Sequence, residues 1–215
     1  MSAYSNMTVI LKKKKINLFF IRAFDIFASA FGLLILAIPF LFIAFAISIE
    51  SKGGVFFKQV RVGRYEKEFK IYKFRTMVQD AESKGLQLST AKDSRITKVG
   101  NILRKTKMDE LAQLINVFKG DMSLVGPRPE VPKYVEMYTE EQKQVLLVRP
   151  GITDIASIKY RNENDILEQA DDAEKAYIEE IMPTKLELNL EYIKKMSFCY
   201  NIKLIFETIF SVLKG

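Results

Sequence analysis

The chain has 215 residues, enough for one domain with an attached element but too few for two full domains. Hydrophobic residues make up 48% and charged residues 27%, a balance that supports a packed core and argues against wholesale disorder. There is no histidine and a single cysteine, Cys199, which excludes imidazole catalysis, a disulfide framework and a thiolate zinc cluster. Acid–base chemistry therefore falls to carboxylates, Lys or Tyr, and any metal must be held by oxygen, for which Mg²⁺ is the natural candidate. A lone cysteine also suits a reducing compartment. With 33 Lys+Arg against 26 Asp+Glu the net charge is +7. That sign suits nucleic acid, an acidic membrane surface or phosphorylated substrates, without choosing among them.

The chain opens with a basic run, Lys12 to Lys15, followed by Arg22 and Asp25. From Ile26 to Ile49 there is no charge, a stretch of about two dozen residues and long enough to cross a bilayer. It is too long for the apolar region of a signal peptide, and no small-residue cleavage site follows it. A single crossing conflicts with the positive-inside rule. If Lys12–Lys15 stay cytoplasmic, then Lys58, Arg61, Arg64, Lys67, Lys70, Lys73 and Arg75 would lie outside. Pro39 lies within the apolar run, lacks an N–H and clashes with the preceding turn, so a bend is expected there. A helix that enters, kinks and returns satisfies both basic flanks; a Pro-kinked spanning helix is the alternative.

Val55–Val62, a polar turn from Gly63 to Glu68, and Phe69–Met77 read as a β-hairpin. Alternation puts Gln59 and Arg61 on one face of the first strand. On the second strand it puts Lys73 and Arg75 on one face, with Tyr72 and Phe74 opposite. Asp80 to Asp93 reads as a helix end and a loop, and two short helices are expected over Val99–Thr106 and Glu110–Lys119, with Gly120 as the stop. Thr106 to Asp109 fits the Ser/Thr-x-x-acid spacing of an N-terminal cap. That places Asp109 and Glu110 in a first helical turn, where the dipole favours negative charge. Acids at helix starts are ordinary, so the pair alone carries little.

Gly126-Pro127-Arg128-Pro129 is more pointed. Pro127 and Pro129 fix the backbone on both sides of Arg128, whose planar fork of donors suits phosphate. A second break at Pro150-Gly151 opens a segment leading to Arg161-Asn162-Glu163-Asn164. From Thr184 to Gly215, Ile202, Ile205, Phe206, Ile209, Phe210 and Leu213 recur at helical spacing, and this stripe fits either an interfacial helix or a core helix. The segments divide as 1–50 for the basic segment and membrane helix, 51–183 for a cytoplasmic catalytic domain, and 184–215 for C-terminal amphipathic helices.

Several ordered motifs are similar to those of the bacterial sugar transferase family, the small monotopic polyprenyl-phosphate phosphoglycosyl transferases. They are Val55 to Gly63, Tyr72-Lys73-Phe74-Arg75-Thr76-Met77, and Asp93-Ser94-Arg95-Ile96-Thr97-Lys98-Val99-Gly100. The longest runs from Leu103-Arg104 through Asp109-Glu110-Leu111, Asn116-Val117 and Gly120-Asp121 to Val125-Gly126-Pro127-Arg128-Pro129. The resemblance implies an α+β, mostly helical fold with a re-entrant membrane helix kinked at Pro39, a small β-hairpin and interfacial amphipathic helices. It implies that Asp109 attacks the β-phosphate of a UDP-sugar, that UMP leaves, and that undecaprenyl phosphate takes the phosphosugar from the aspartate. Glu110 matches its partner, and both acids are candidate Mg²⁺ ligands. Lys73, Arg75, Arg104, Arg128, Pro127, Pro129, Asp93 and Arg95 match positions expected around substrate phosphates. The implied location is the cytoplasmic face of the bacterial inner membrane, with membrane lipids as further partners, no nucleic acid, and room for a homodimer.

Two departures stand out. Many members have Ser before the membrane-helix proline, where this chain has Ile38, and many read Pro-Gly-Ile-Thr-Gly where this chain has Thr153-Asp154. Relatives with large N-terminal multi-span domains exist, and this chain reads as the minimal catalytic form. The rival reading is a membrane-tethered basic module that binds nucleic acid or lipid without catalysis, or a scaffold; either leaves Asp109 unexplained.

Overall fold

A computed structural model describes residues 3–79, 93–160, 166–167, 169 and 172–213. Of the polar loop expected over Asp80 to Asp93 only Asp93 is among them, and Arg161 to Asn164 also lie outside. The chain begins with three helices in a row: α1 (Ala3–Lys13), α2 (Lys15–Ile35) and α3 (Ala37–Glu50). Among the described residues, α2 is the one helix long and apolar enough to cross a membrane.

The break between α2 and α3 falls at Leu36 (φ −82°, ψ 0°), which ends one helix and starts the next. Pro39 explains its position. Its missing N–H would have bonded the Ile35 carbonyl, and its ring presses on that same turn, so the distortion appears upstream of the proline. Hydrogen bonds resume at once on either side, from Leu36 N–H to Gly32 O and from Phe40 N–H to Leu36 O.

Both arms of the broken helix are tied to the rest of the chain. On α2, the Arg22 guanidinium donates to the carbonyls of Val117 (2.7 Å) and Phe118 (3.1 Å), and the buried Asp25 carboxylate accepts the Leu124 N–H (3.0 Å). On α3, Ile43 and Ile47 pack in a cluster with Phe74, Leu103 and Ala112. The other faces of both arms leave Phe27, Leu34, Ile38, Leu41, Phe42, Phe45 and Ile49 exposed.

The expected hairpin is present. β1 (Phe56–Val62) pairs antiparallel with β2 (Glu68–Phe74), placing Phe57 opposite Lys73. Asn116 is fully buried behind β2 and bonds both the Tyr72 N–H and the Lys70 carbonyl, taking the place of a third strand.

The first expected short helix is α4 (Lys98–Lys105), capped by the Thr97 hydroxyl, which accepts the Gly100 N–H. The second differs. Thr106 is not an N-cap: it ends α4, and its hydroxyl donates back to the Ile102 carbonyl (2.8 Å). Lys107 then takes a left-handed turn (φ 56°), Met108–Gln113 is a 3-10 helix, and only Leu114–Lys119 (α5) is α-helical. A threonine hydroxyl can serve the helix before it as readily as the one after, and here the preceding helix holds it. Gly120 (φ 95°) is the left-handed stop expected of it.

β3 (Ser123–Val125) and β4 (Gly151–Thr153) form a short parallel pair. Gly126 and Gly151 face each other so closely that a Cβ on Gly151 would run into the Gly126 backbone, and one on Gly126 into the Arg149 carbonyl. This contact brings the two Pro/Gly breaks together. α6 (Pro132–Val135) and α7 (Ile155–Lys159) follow these strands. After them come α8 (Ala173–Ala176), a π-turn over Tyr177–Ile181, α9 (Met182–Lys195) and α10 (Phe198–Leu213).

One apolar core draws on Met7 and Ile21 from the N-terminal helices, Val125 and Tyr134 from the middle, and Tyr177, Tyr192, Ile193 and Leu204 from the C-terminal helices. On α10 the buried positions are Asn201 and Leu204, whereas Phe206, Ile209 and Phe210 of the apolar stripe are exposed. Ile202 and Ile205 of the stripe are half-buried, Ile205 against that core, so the stripe divides between the core and the exposed side.

Candidate active site

The site forms where the 3-10 turn of Met108–Gln113 lies against β2. Glu110 and Lys73 meet there, with Nζ donating to Oε1 at 2.9 Å. Arg128 closes on the same carboxylate from the other side, Nη2 to Oε1 at 2.5 Å and Nη1 to Oε2 at 3.4 Å. Burial alone would raise the Glu110 carboxyl, but the charges and hydrogen bonds of Arg128 and Lys73 override it and hold the group well below its usual range. Burial lowers the Lys73 ammonium, against the opposing pull of Glu110.

Asp109 is treated oppositely. It is 8% exposed, and what reaches its carboxylate is charge: Glu110 beside it, with Lys73, Arg104 and Lys107 around it. Burial first, then the Glu110 charge, push its pKa up, and the three cations only partly offset this. Asp109 and Glu110 do lie in a first helical turn as expected, but that turn is 3-10, and burial works against the ionised form of Asp109. Two adjacent acids thus have pKa values driven apart: one is clamped and easier to ionise than usual, the other harder to ionise.

The remaining expected residues divide. Arg104 faces this centre: burial lowers its pKa, the charges of Asp109 and Asp93 raise it, and its Nε donates to the Thr76 hydroxyl at 2.9 Å. Asp93 and Arg95 pair with one another as a fork (2.6 Å), which brings the Asp93 carboxyl down to about 2. Their turn is zipped onto the strand extension through Val78 N–H to Arg95 O and Thr97 N–H to Thr76 O. Arg75 is committed elsewhere, to the carbonyls of Ser51 (2.7 Å) and Lys52 (2.6 Å) where α3 ends. Beside it, Glu50 accepts the Lys98 and Val99 N–H groups that start α4. Pro127 and Pro129 frame Arg128 as expected from their spacing, with the Gly151 N–H on the Pro127 carbonyl and Arg61 Nη1 on the Pro129 carbonyl (3.1 Å).

Sequence reasoning missed Asn116, Asp154 and Glu130 as supports. Asp154 is 1% exposed and accepts the Arg128 N–H at 2.9 Å. Glu130 takes Arg61 (3.0 Å) and the Tyr177 hydroxyl. The one available signal was that Asp154 and Glu130 are acids set inside turn segments rich in Pro and Gly.

Among the described residues no cluster of three or more acidic, His or Cys side chains could cage a metal. The donor set fits a different kind of Mg²⁺ site. This ion commonly binds through one or two carboxylates plus substrate phosphates and keeps several waters. Asp109 and Glu110 are the two carboxylates that would hold it here, with both Glu110 oxygens already accepting from Arg128 or Lys73.

The sequence pattern of the family described as "Bacterial sugar transferase" matches residues 16–215. The chain belongs to the bacterial sugar transferase family. Among its relatives is the UDP-N-acetylgalactosamine-undecaprenyl-phosphate N-acetylgalactosaminephosphotransferase of Aeromonas hydrophila, 36% identical over 99% of this chain and 48% of that protein. Another is the UDP-glucose:undecaprenyl-phosphate glucose-1-phosphate transferase of Escherichia coli (strain K12), 39% identical over 88% of this chain and 39% of that protein. The chain therefore spans less than half of the length of these two relatives. It covers 94% of the exopolysaccharide production protein PSS of Rhizobium leguminosarum bv. phaseoli, at 37% identity.

Proposed function

We propose that this bacterial sugar transferase moves a sugar-1-phosphate from a UDP-sugar to undecaprenyl phosphate, releasing UMP, at the cytoplasmic face of the bacterial inner membrane. The observation that carries the reading is the unequal pair: a buried Asp109 that is harder to ionise, beside a Glu110 clamped by Lys73 and Arg128. The printed names of the A. hydrophila and E. coli relatives support the same donor and acceptor classes.

In the first step a carboxylate oxygen of Asp109 forms a bond to the β-phosphorus. The bond from that phosphorus to the bridging oxygen breaks, and its electron pair leaves with UMP. In the second step a phosphate oxygen of the lipid attacks the same phosphorus and Asp109 departs as a free carboxylate. Splitting one displacement into two is what a carboxylate nucleophile offers. Lys73, Arg104 and Arg128 supply fixed positive charge where negative charge accumulates on the phosphoryl oxygens. Clamped at low pKa, Glu110 holds Lys73 and Arg128 in place and can release part of that grip to an incoming phosphate. Mg²⁺, when held by Asp109 and Glu110 with the diphosphate, would add Lewis-acid charge neutralisation.

The membrane reading follows from the helix arms. Arg22 on α2 bonds the end of α5, Asp25 on α2 bonds β3, and Glu50 at the end of α3 bonds the start of α4, so both arms are tied to segments around the site. This supports a helix that enters and returns on one side, with the exposed Phe and Leu of its bend in the acyl region. The exposed Phe206, Ile209 and Phe210 of α10 support an interfacial seat for that helix.

The test is a burst experiment. Protein mixed with UDP-sugar and Mg²⁺ without lipid should release about one UMP per site and gain a phosphosugar on the peptide carrying Asp109. Robust turnover with lipid but neither burst nor adduct would replace this mechanism with direct transfer in a ternary complex.

A further inference from the structure

Pro127-Arg128-Pro129 contains a single backbone donor, because both prolines lack an N–H. That donor, the Arg128 N–H, is taken by Asp154 Oδ2 at 2.9 Å. The other oxygen of Asp154 accepts the Ser157 N–H and so caps α7. Asp154 is 1% exposed, so each oxygen is matched to one N–H without help from solvent. The carbonyls on either side are held as well, by Gly151 N–H and Arg61. The segment that presents the guanidinium to Glu110 is thus pinned at three consecutive residues, and Asp154 holds the middle pin.

We propose that Asp154 is a positioning residue for Arg128, fixing the backbone from which the guanidinium reaches the Glu110 carboxylate. The inference rests on the phosphosugar-transfer reading and deepens it. It also assigns a role to a position at which this chain departs from the Gly common in the family. The carboxylate is needed because it offers two acceptors to two donors. Asparagine would turn its NH₂ toward one of the two N–H groups, and glycine would leave both without a partner. Displacing the Arg128 backbone by a fraction of an ångström moves the fork off Glu110, and misplacement of about 1 Å in such a site costs about a hundredfold in rate.

The rival role is structural only: Asp154 caps α7 and nothing more. Two measurements separate the roles, made on the full chain in lipid nanodiscs. The first is UMP release with undecaprenyl phosphate and UDP-glucose or UDP-N-acetylgalactosamine, for Asp154→Asn and Asp154→Gly, each alone and combined with Arg128→Lys. The second is hydrogen exchange at the Arg128 amide in protein labelled with ¹⁵N-arginine. Positioning predicts that Asp154→Asn lowers kcat about tenfold in the parent but less than about twofold in the Arg128→Lys background, because the two changes damage one device. It also predicts that the Arg128 amide exchanges at least about tenfold faster. Equal losses in both backgrounds, or an unchanged Arg128 amide, would overturn the proposal and leave Asp154 a helix cap. If the parent protein releases no UMP from either donor, the transfer reading fails instead, and amide exchange alone still decides whether Asp154 holds Arg128.

Discussion

Burial and the neighbouring Glu110 charge make the Asp109 carboxylate costly to ionise, so the residue is bad for stability where it is good for chemistry. Its folded pKa lies above its unfolded one, so the penalty is fully present at neutral pH. It is relieved as pH falls through the raised value. Asp109→Asn removes it, and without added divalent ion at pH 7.5 (an assay condition of about that value) the variant should match or exceed the parent in thermal midpoint, by on the order of 1 kcal/mol. It should release no UMP. Glu110 has the reverse sign: its depressed pKa contributes stability that is present above the unfolded value and lost only as pH drops through the folded one. Glu110→Gln should therefore destabilise at neutral pH by about 1–3 kcal/mol, since it removes the carboxylate charge that Lys73 and Arg128 share. Both midpoints are read by calorimetry or dye-binding scans. Opposite signs for neighbouring acids are the mark of the arrangement. Arg128→Lys keeps the charge but gives up the fork across both Glu110 oxygens, so kcat/KM for UMP release should fall at least about tenfold.

At the scale of elements, the hairpin was legible because a half-buried strand repeats every two residues; β1 falls within the run expected for it, whereas β2 starts one residue early, at Glu68, and ends at Phe74 rather than Met77. The Asp-Glu and Pro-Arg-Pro motifs were legible as sequence, and the structure brings them to one carboxylate. The helix expected at Asp109 was not, because Thr106 closes α4 and the following turn is tightened to 3-10. Nor were the supports legible. Arg22 meets Val117 across 95 positions and Asp25 meets Leu124 across 99, separations over which local periodicity carries no information. Asp154 stood out only as a departure from the Gly common in the family, and nothing in the sequence tied it to Arg128. The Gly126–Gly151 contact is the element-scale feature with the sharpest consequence. Gly151→Ala should force β3 and β4 apart and cost about 1–3 kcal/mol in chemical denaturation, with loss of UMP release as Arg128 shifts. A stable, active Gly151→Ala protein would show that this close approach is dispensable.

For the whole molecule, the decisive question is how a catalytic body can hold both arms of one broken apolar helix. A straight crossing would carry Glu50 and Arg75 to the opposite side from Arg22, yet Arg22 bonds α5, Glu50 bonds the start of α4, and Arg75 ties the end of the hairpin to the end of α3. The bend at Leu36 is therefore fixed twice: by Pro39 within the helix, and by the Arg22 and Glu50 bonds at its ends. Pro39→Leu alone should straighten the helix only in part, and combining it with Arg22→Ala should release it further. Topology can be read in intact cells with Cys199 replaced by serine and single cysteines placed at Lys13 and at Ser94, both exposed positions. In the parent background both cysteines should resist an impermeant thiol reagent, because the proposed re-entrant topology puts both on the cytoplasmic side. In the Pro39→Leu, Arg22→Ala background the Ser94 position should become labelled while Lys13 stays protected, with UMP release falling in proportion. Labelling at Ser94 in the parent itself would mean that the helix spans, and the arms would then have to part from the body that binds them here.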